Sequence, residues 1–305
     1  MRAVLLTLAG CAIADPSLVG DPAQSEAVAA ISACPAGQWC VETSPVAGTL
    51  LHGVWARDAS DVFAVGDSGT ILRRTGDVWS VMASGTTNNL RGVWGTGSSD
   101  VWVGGVSGTI LHFDGTAWSA VTGATSDVDS VWGSGPSDVW FAGSSTVLHW
   151  NGTALAATSL GGILLSVSGV SPSDVWVTGE NTNLHHFTGT TWTTVNPGAG
   201  TSTLFTVLAL SASEVWTTDF MPGNETVHLI GGKWVTLRTN NVIFNSMSAL
   251  APNDLWAAGG RSIGHWNGSA WTIEQPFSNN LWSIATMAGN AWVVGSGALI
   301  GHRTL

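Results

Sequence analysis

Apolar residues in this chain come in short runs, and glycine, serine, aspartate or asparagine closes each run within six to ten residues. In the stretch Leu90–Val121, LRGVWGTGSSDVWVGGVSGTILHFDGTAWSAV, four such runs follow one another: LRGVW, DVWVGG, TILHF and AWSAV. Their richness in Val, Trp and Thr predicts four β-strands. No segment sustains an apolar period of about 3.6 residues, so no helix is predicted within this pattern.

The same pattern recurs along the chain. Its acidic-apolar-aromatic triplet appears at Asp61-Val62-Phe63, Asp100-Val101-Trp102, Asp138-Val139-Trp140, Asp174-Val175-Trp176, Glu214-Val215-Trp216, Asp254-Leu255-Trp256 and Asn290-Ala291-Trp292, seven copies spaced 36 to 40 residues apart. Four strands in a unit of about 40 residues is the size of a propeller blade, and seven units suit a closed ring. Asp114-Gly115, Asn151-Gly152 and Asn267-Gly268 fall between the third and fourth strands. Such pairs predict a two-residue hairpin with positive φ, and hence antiparallel pairing. The fold class is therefore all-β: a single seven-bladed propeller over residues 34–305, with blades beginning near Leu51, Leu90, Val128, Leu164, Leu204, Phe244 and Leu281.

Composition agrees with sheets buried on both faces. The chain has 18 Trp, no Tyr, 39 Gly and only 10% charged residues, and the Trp residues fall at or near repeat positions. Each large ring contributes at most about 4–6 kcal/mol on burial, so packing is the ordinary role of these tryptophans.

The two ends of the sequence complement one another. Leu299-Ile300-Gly301-His302 matches a third strand, and no G-x-x-W fourth strand follows it before Leu305. Gly37-Gln38-Trp39-Cys40-Val41-Glu42 resembles Gly268-Ser269-Ala270-Trp271-Thr272-Ile273-Glu274, so residues 37–44 are expected to supply the missing strand of the seventh blade. Closure of this kind removes an unpaired sheet edge. Cys34 and Cys40 flank the closing strand and pair as a disulfide on this reading, which requires an oxidising compartment. The alternative, a metal held by two thiols, lacks further Cys or His at zinc-like spacing, and no metal or cofactor is implied.

Residues 1–10 read as a secretory signal: Met1-Arg2, the apolar run Ala3–Leu8, then small residues. Leu8-Ala9-Gly10-Cys11 resembles the bacterial lipoprotein box, which implies lipidation at Cys11, and Ala12 after it is similar to the pattern that directs delivery to an outer membrane. Residues 11–33, mostly small or acidic, read as a tether spanning on the order of 25 Å as a flexible coil. No other stretch is apolar for long enough to span a bilayer, so membrane attachment is expected only through the lipid.

WGSGPSDVWFAG at 132–143, GTILHFDGTAW at 108–118 and the G-x-W-C-x-E segment at 37–42 resemble a family of secreted bacterial tandem-repeat propeller proteins, many of them lipoproteins. The resemblance covers nearly all of 34–305 and implies an envelope or surface address. It implies no particular chemistry. The D-G-x-x-W turn is also similar to the Asp-box of sialidase-type propellers, itself a structural motif.

Recurring histidines are the first residues to weigh as chemistry. His112, His149, His186, His228, His265 and His302 occupy one repeat position, Arg73 takes it in the first blade, and His185 is an extra neighbour. Equivalent residues of different blades are rotated by about 51° and cannot converge on one metal. Each is expected to hydrogen-bond the carboxylate of its own blade's triplet, similar to the His–Asp pairing of WD-repeat propellers. Sialidase chemistry lacks its Tyr here, and the nine Lys plus Arg are scattered. No Gly-rich stretch joins a strand to a helix as a phosphate loop does. A net charge of −11 argues against nucleic acid, which needs clustered cations.

Binding residues are therefore sought where the copies differ. In blade five the turn Asp219, Phe220, Met221, Pro222, Gly223, Asn224, Glu225 is longer than its counterparts; Glu180 and Asn181 mark blade four, and Asn240 and Asn241 an inter-blade loop. These acids and amides, with Phe220 as an apolar anchor, suit sugar hydroxyls or a protein edge. The reading is a monomeric, envelope-anchored or surface-exposed propeller that binds a protein or glycan, leaning away from an enzyme. The alternatives are a propeller glycoside hydrolase or lyase, which needs two carboxylates about 5–9.5 Å apart, and a structural envelope component.

Overall fold

Seven four-stranded antiparallel sheets form the computed structural model, which describes residues 34–180, 184–198, 203–219, 225–239 and 242–305. The expectations for residues 1–33, Cys11 among them, lie outside the described residues. Blade one shows the plan: an inner strand Leu51–Asp58, then Asp61–Gly66, Ile71–Thr75 and an outer strand Val78–Met82, each bonded to the next. The other inner strands are Leu90–Gly97, Ser130–Gly135, Leu164–Ser171, Leu204–Ser211, Ser246–Ala251 and Leu281–Met287. Consecutive inner strands pack side by side, and the seventh returns to the first.

Burial follows from the position of each strand in the sheet. The second strands, such as Asp100–Gly105 of blade two, are buried on both faces after their first residue, whereas the outer strand Leu155–Ser159 of blade three is mostly exposed. Seven apolar clusters fill the seven interfaces between neighbouring sheets; Phe63 and Val65 of blade one meet Leu90 and Val103 of blade two in one of them. Each apolar run thus has a neighbour on either side, which explains why these strands do not alternate cleanly between apolar and polar residues.

Two repeat positions register one blade on the next. An inner strand is a sheet edge with unpaired N–H groups. Serines of the preceding blade accept several of them: Val167 N–H donates to Ser130 Oγ (3.1 Å), Val207 N–H to Ser166 (3.2 Å), Ile284 N–H to Ser246 (3.3 Å) and Val54 N–H to Ser283 (3.2 Å). A tryptophan-glycine match works alongside them. A Cβ at Gly133 would lie 2.6 Å from Trp94 of blade two, one at Gly169 would lie 2.6 Å from Trp132, and one at Gly95 would lie 3.0 Å from Trp55. Where Ser168, Leu208, Ser248 or Ala285 replaces that Trp, the next blade carries Ala209, Ala249, Thr286 or Ala56 instead of Gly.

The N-terminal strand closes the ring. Trp39–Val41 pairs with Ile300–Thr304, matching Trp39 to Arg303 and Cys40 to His302, and is shorter than the 37–44 expected. A disulfide joins Cys34 to Cys40. Trp39 Nε1 donates to Glu274 of blade six (2.6 Å), as does Arg303 (2.7 Å). On the other side Glu42, with its side chain 11% exposed, joins blade seven to blade one: His302 Nδ1 is 3.1 Å away, Arg74 Nε 3.2 Å, and Trp79 Nε1 donates to the same carboxylate. Burial pushes the Glu42 carboxyl up, but the His302 and Trp79 hydrogen bonds and the Arg74 charge together hold it below its ordinary value.

The turn expectation needs correction. The Asp-Gly and Asn-Gly pairs do not form two-residue hairpins: Phe113 pairs with Trp118, leaving a four-residue turn, Asp114–Ala117. Asp114 Oδ1 accepts from the N–H groups of Thr116 (2.8 Å) and Ala117 (3.0 Å), and Gly115 has the positive φ of 96°. The side chain replaces one ladder bond and so lengthens the turn. Two-residue connections occur at Gly76-Asp77 and Gly231-Gly232.

Gly133→Ala lowers stability by about 1–3 kcal/mol through overpacking, and adding Trp94→Ser, which copies the Ser168/Ala209 match, restores part of that loss; chemical denaturation measures both. A loss in the double variant equal to or greater than the sum of the two singles contradicts the match. A depressed folded-state pKa means that Glu42 stabilises above its unfolded pKa, and that this contribution disappears as pH falls through the folded one. Glu42→Gln therefore lowers stability at neutral pH by about 1–3 kcal/mol and flattens the acid limb of the stability curve.

Candidate functional site

The second residue of each inner-strand repeat leaves the regular ladder. Leu51 pairs with Gly66 but Gly53 pairs with Val65, so His52 is an extra residue, and the same register jump sets off Arg91, Leu165 and Trp282. In blade five the jump spans Phe205 and Thr206, while Asp129 and Asn245 directly precede their strands. An extra residue of this kind bends the strand and re-aims its side chain. The outcome is a ring of seven different side chains, His52, Arg91, Asp129, Leu165, Phe205, Asn245 and Trp282, lining a central cavity of about 730 Å³. The turns between second and third strands and the inter-blade segments lie at the same end, since Gly66 abuts Leu51 and Asp67 N–H donates to Leu50 O (2.9 Å).

The ring divides by chemistry. On blades one to three, His52 Nε2 lies 2.8 Å from Asp67 Oδ1, and Arg91 binds Asp129 while standing 3.4 Å from Asp127 Oδ2. Burial pushes the Asp129 carboxyl above its ordinary value; Arg91 opposes this, and the like charge of Asp127 reinforces it. Leu165 and Phe205 follow on blades four and five. Asn245 Nδ2 donates to Leu281 O (3.2 Å), and Trp282, 39% exposed, lies 6.1 Å from the His52 ring. Beside Arg91 a second recess of about 430 Å³ is lined by Asp127, Asp129, Ser144, Ser145, Gly162 and Ile163.

Of the sites expected from the sequence, Glu180, Asp219 and Glu225 are described and sit at this same end without lining the cavity. Glu180 N–H donates to Ile163 O (2.8 Å), Asp219 is 2% exposed, and Glu225 pairs with Asp219 and stands 3.9 Å from Arg238. Phe220, Met221, Asn224, Asn181, Asn240 and Asn241 lie outside the described residues. Sequence reasoning passed over the ring itself. Its signal was available: aligned on the inner strand, one column reads His, Arg, Asp, Leu, Phe, Asn, Trp between columns that hardly vary.

The recurring histidines are held within their own blades. In blade three, His149 Nε2 lies 2.7 Å from Asp138 Oδ1, Trp140 Nε1 donates to the same oxygen (3.1 Å), and the two rings stack at 3.9 Å. Blades two, four and six repeat this with Asp100, Asp174 and Asp254. Blade one substitutes Arg73, whose Nε donates to Asp61 (2.9 Å) while its guanidinium covers Phe63. In blade five the longer Glu214 stands 3.5 Å from His228, and burial lowers the pKa of His228 against the pull of that carboxylate. Among the described residues no group of three or more His, Cys, Asp or Glu is placed to hold a metal ion.

Solved structures share this architecture at low identity. The chain is similar to YCF48 bound to a D1 peptide, with TM-score 0.72 and 16% identity over 88% of this chain and 95% of that one. It is also similar to virginiamycin B lyase from Staphylococcus aureus, with TM-score 0.77 and 16% identity over 88% and 98% of the two chains. The WD40 propeller domain of Doa1 gives TM-score 0.73 and 14% identity over 86% and 94%. The fold is a seven-bladed β-propeller. No protein-family model matches the sequence, and no curated protein matches it. At these identities the likeness concerns the fold alone.

His149→Ala removes a stack and a hydrogen bond and lowers stability by about 1–3 kcal/mol, whereas Trp282→Ala at the mouth changes it by less than about 1 kcal/mol. Thermal or chemical unfolding of the two variants checks the division between framework and ring; the opposite order refutes it.

Proposed function

We propose that the chain is a non-enzymatic, envelope-anchored or surface-exposed propeller that binds a protein segment across the cavity mouth ringed by His52, Arg91, Asp129, Leu165, Phe205, Asn245 and Trp282. One observation carries this reading: in a chain built from near-copies, the position aimed at the mouth holds a different residue in every blade. A packing role repeats with the blade, whereas contact with one asymmetric ligand does not. Arg91 and Trp282 are of the types that dominate binding energy at interfaces. The Leu8-Ala9-Gly10-Cys11 box and the Cys34–Cys40 disulfide support the envelope address, since a disulfide persists where the compartment is oxidising.

A second reading, a lyase or glycoside hydrolase, is favoured by the pair His52–Asp67, a base and an orienting carboxylate 2.8 Å apart beside the cavity. His52 stands apart from the framework histidines.

Immobilised protein is challenged with envelope extract and with glycan arrays. Retention of one partner falls at least about tenfold in Trp282→Ala and Phe205→Ser while the thermal midpoint stays within about 2 °C. Retention unchanged in both variants rejects the mouth as the site. Turnover of a bound molecule that His52→Gln abolishes without loss of binding replaces the binding reading with the enzymatic one.

A further inference from the structure

Resting on the mouth as the binding site, we infer that the recess between blades three and four receives a lysine or arginine side chain of the partner segment, with a bulky apolar residue next to it seated on the Leu165–Phe205 side of the ring. The recess offers the two halves of a long basic side chain separate surfaces. Ile163, 45% exposed, presents an apolar wall for the methylene stem, and Asp127 and Asp129 present oxygens for the charged head.

Charge decides between a basic and an acidic visitor. Arg91 is the one cation lining the recess and is already shared by Asp129 and by Asp127 at 3.4 Å, so the three together carry a net negative charge. A partner carboxylate would have to displace one of these from Arg91. If it displaced Asp129, whose side chain is only 18% exposed, an unpaired buried charge would remain. A basic group adds a counter-ion to an over-supplied pair of carboxylates. Burial is the main cause that holds the Asp129 carboxyl above its ordinary value, and the like charge of Asp127 adds to it; a cation beside the pair offsets that second part.

The wider surface points the same way. Among the described residues at this end, Asp67, Glu180 and Glu225 add to Asp127 and Asp129, while the cations are Arg91, Arg238 and Arg261. The whole chain carries a formal charge of −11. A concave mouth with this excess draws cationic segments and repels acidic ones. A neutral glycan would find an indole face at Trp282 and could donate its hydroxyls to the two carboxylates, but it brings no charge to balance them.

A panel of fluorescent nine-residue peptides tests this, each with Leu-Trp beside a central Lys, Arg, norleucine or Glu, measured by anisotropy against the full chain. The Lys and Arg peptides bind, the norleucine peptide is at least about tenfold weaker, and the Glu peptide is weaker still. Asp127→Asn removes about tenfold from the Lys peptide and little from the norleucine peptide. Ser145→Lys, at an exposed position that sets a cation into the recess, abolishes the difference between them while the midpoint is kept. Equal affinity across the panel, a preference for Glu, or Lys-peptide binding indifferent to Asp127→Asn overturns the basic-side-chain assignment but leaves the mouth in place if Trp282→Ala still weakens binding. Glycans retained in a Trp282-dependent way with no peptide bound overturn it in favour of sugar, and ligands indifferent to Trp282 overturn the mouth itself.

Discussion

Everything in this molecule depends on ring closure. A sheet apolar on both faces has no stable solvent boundary of its own, so each of the seven sheets needs two neighbours, and the first and last need one another. The seventh sheet is accordingly shared between the ends of the described chain: Trp39–Val41 supplies its fourth strand. The join extends beyond the strand. Trp39 and Arg303 reach Glu274 of blade six, and Glu42 gathers His302 of blade seven with Arg74 and Trp79 of blade one. The closing segment therefore ties three consecutive blades, and the disulfide between Cys34 and Cys40 spans its start.

Closure by near-identical units sets a second demand, that each blade fit the next. Trp55, Trp94 and Trp132 lie over Gly95, Gly133 and Gly169, where there is no room for a methyl group. Once the ring shrinks to serine, leucine or alanine in blades four to seven, the following position grows to alanine or threonine. The volume of the joint is conserved although its parts change, as close-packed interiors require. The stacked Trp–His–Asp set inside blades two, three, four and six acts in the same way along the other axis of the sheet. It shows its dependence on geometry in blades five and seven, where Glu214 and Asn290 replace Asp and the indole nitrogens of Trp216 and Trp292 lack a hydrogen-bond partner.

The fold was legible because its determinants repeat. Seven triplets, four strand-like runs per copy and a stray G-x-W segment near the start were enough to foresee the sheets and their closure, and the place of each framework histidine followed from its register. The turns were misread by two residues because Asp114, Asn151 and Asn267 use their side-chain oxygens as turn acceptors, a bond that composition alone does not distinguish from a tight hairpin. The inner-strand ring went unnoticed for a related reason. Alignment on the Asp-Val-Trp triplet draws attention to loops that differ in length, and the inner-strand column that differs only in identity passes as ordinary variation. A β-bulge shifts the alternation of apolar and polar residues by one, but strands apolar on both faces hide that shift, so the alternation does not show that His52 or Arg91 has been turned out of the ladder.

That same bulge explains why variation collects at one end of the cavity. At the other end the inner-strand residues Trp55, Trp94 and Trp132 are committed to the next blade, and changing one demands a matched change across the interface. At the bulge the side chain is released from the pleat, so histidine, arginine, leucine or tryptophan is accepted there without disturbing the pairs on either side. Asp129 is the exception, because it is half-buried and must keep Arg91 as its partner. The two sit on adjacent blades, so the charged sector of the mouth is also a constraint on how blades two and three meet. Leu165 or Trp282 can therefore change by single substitution, whereas a change at the Arg91–Asp129 pair has to come as a pair.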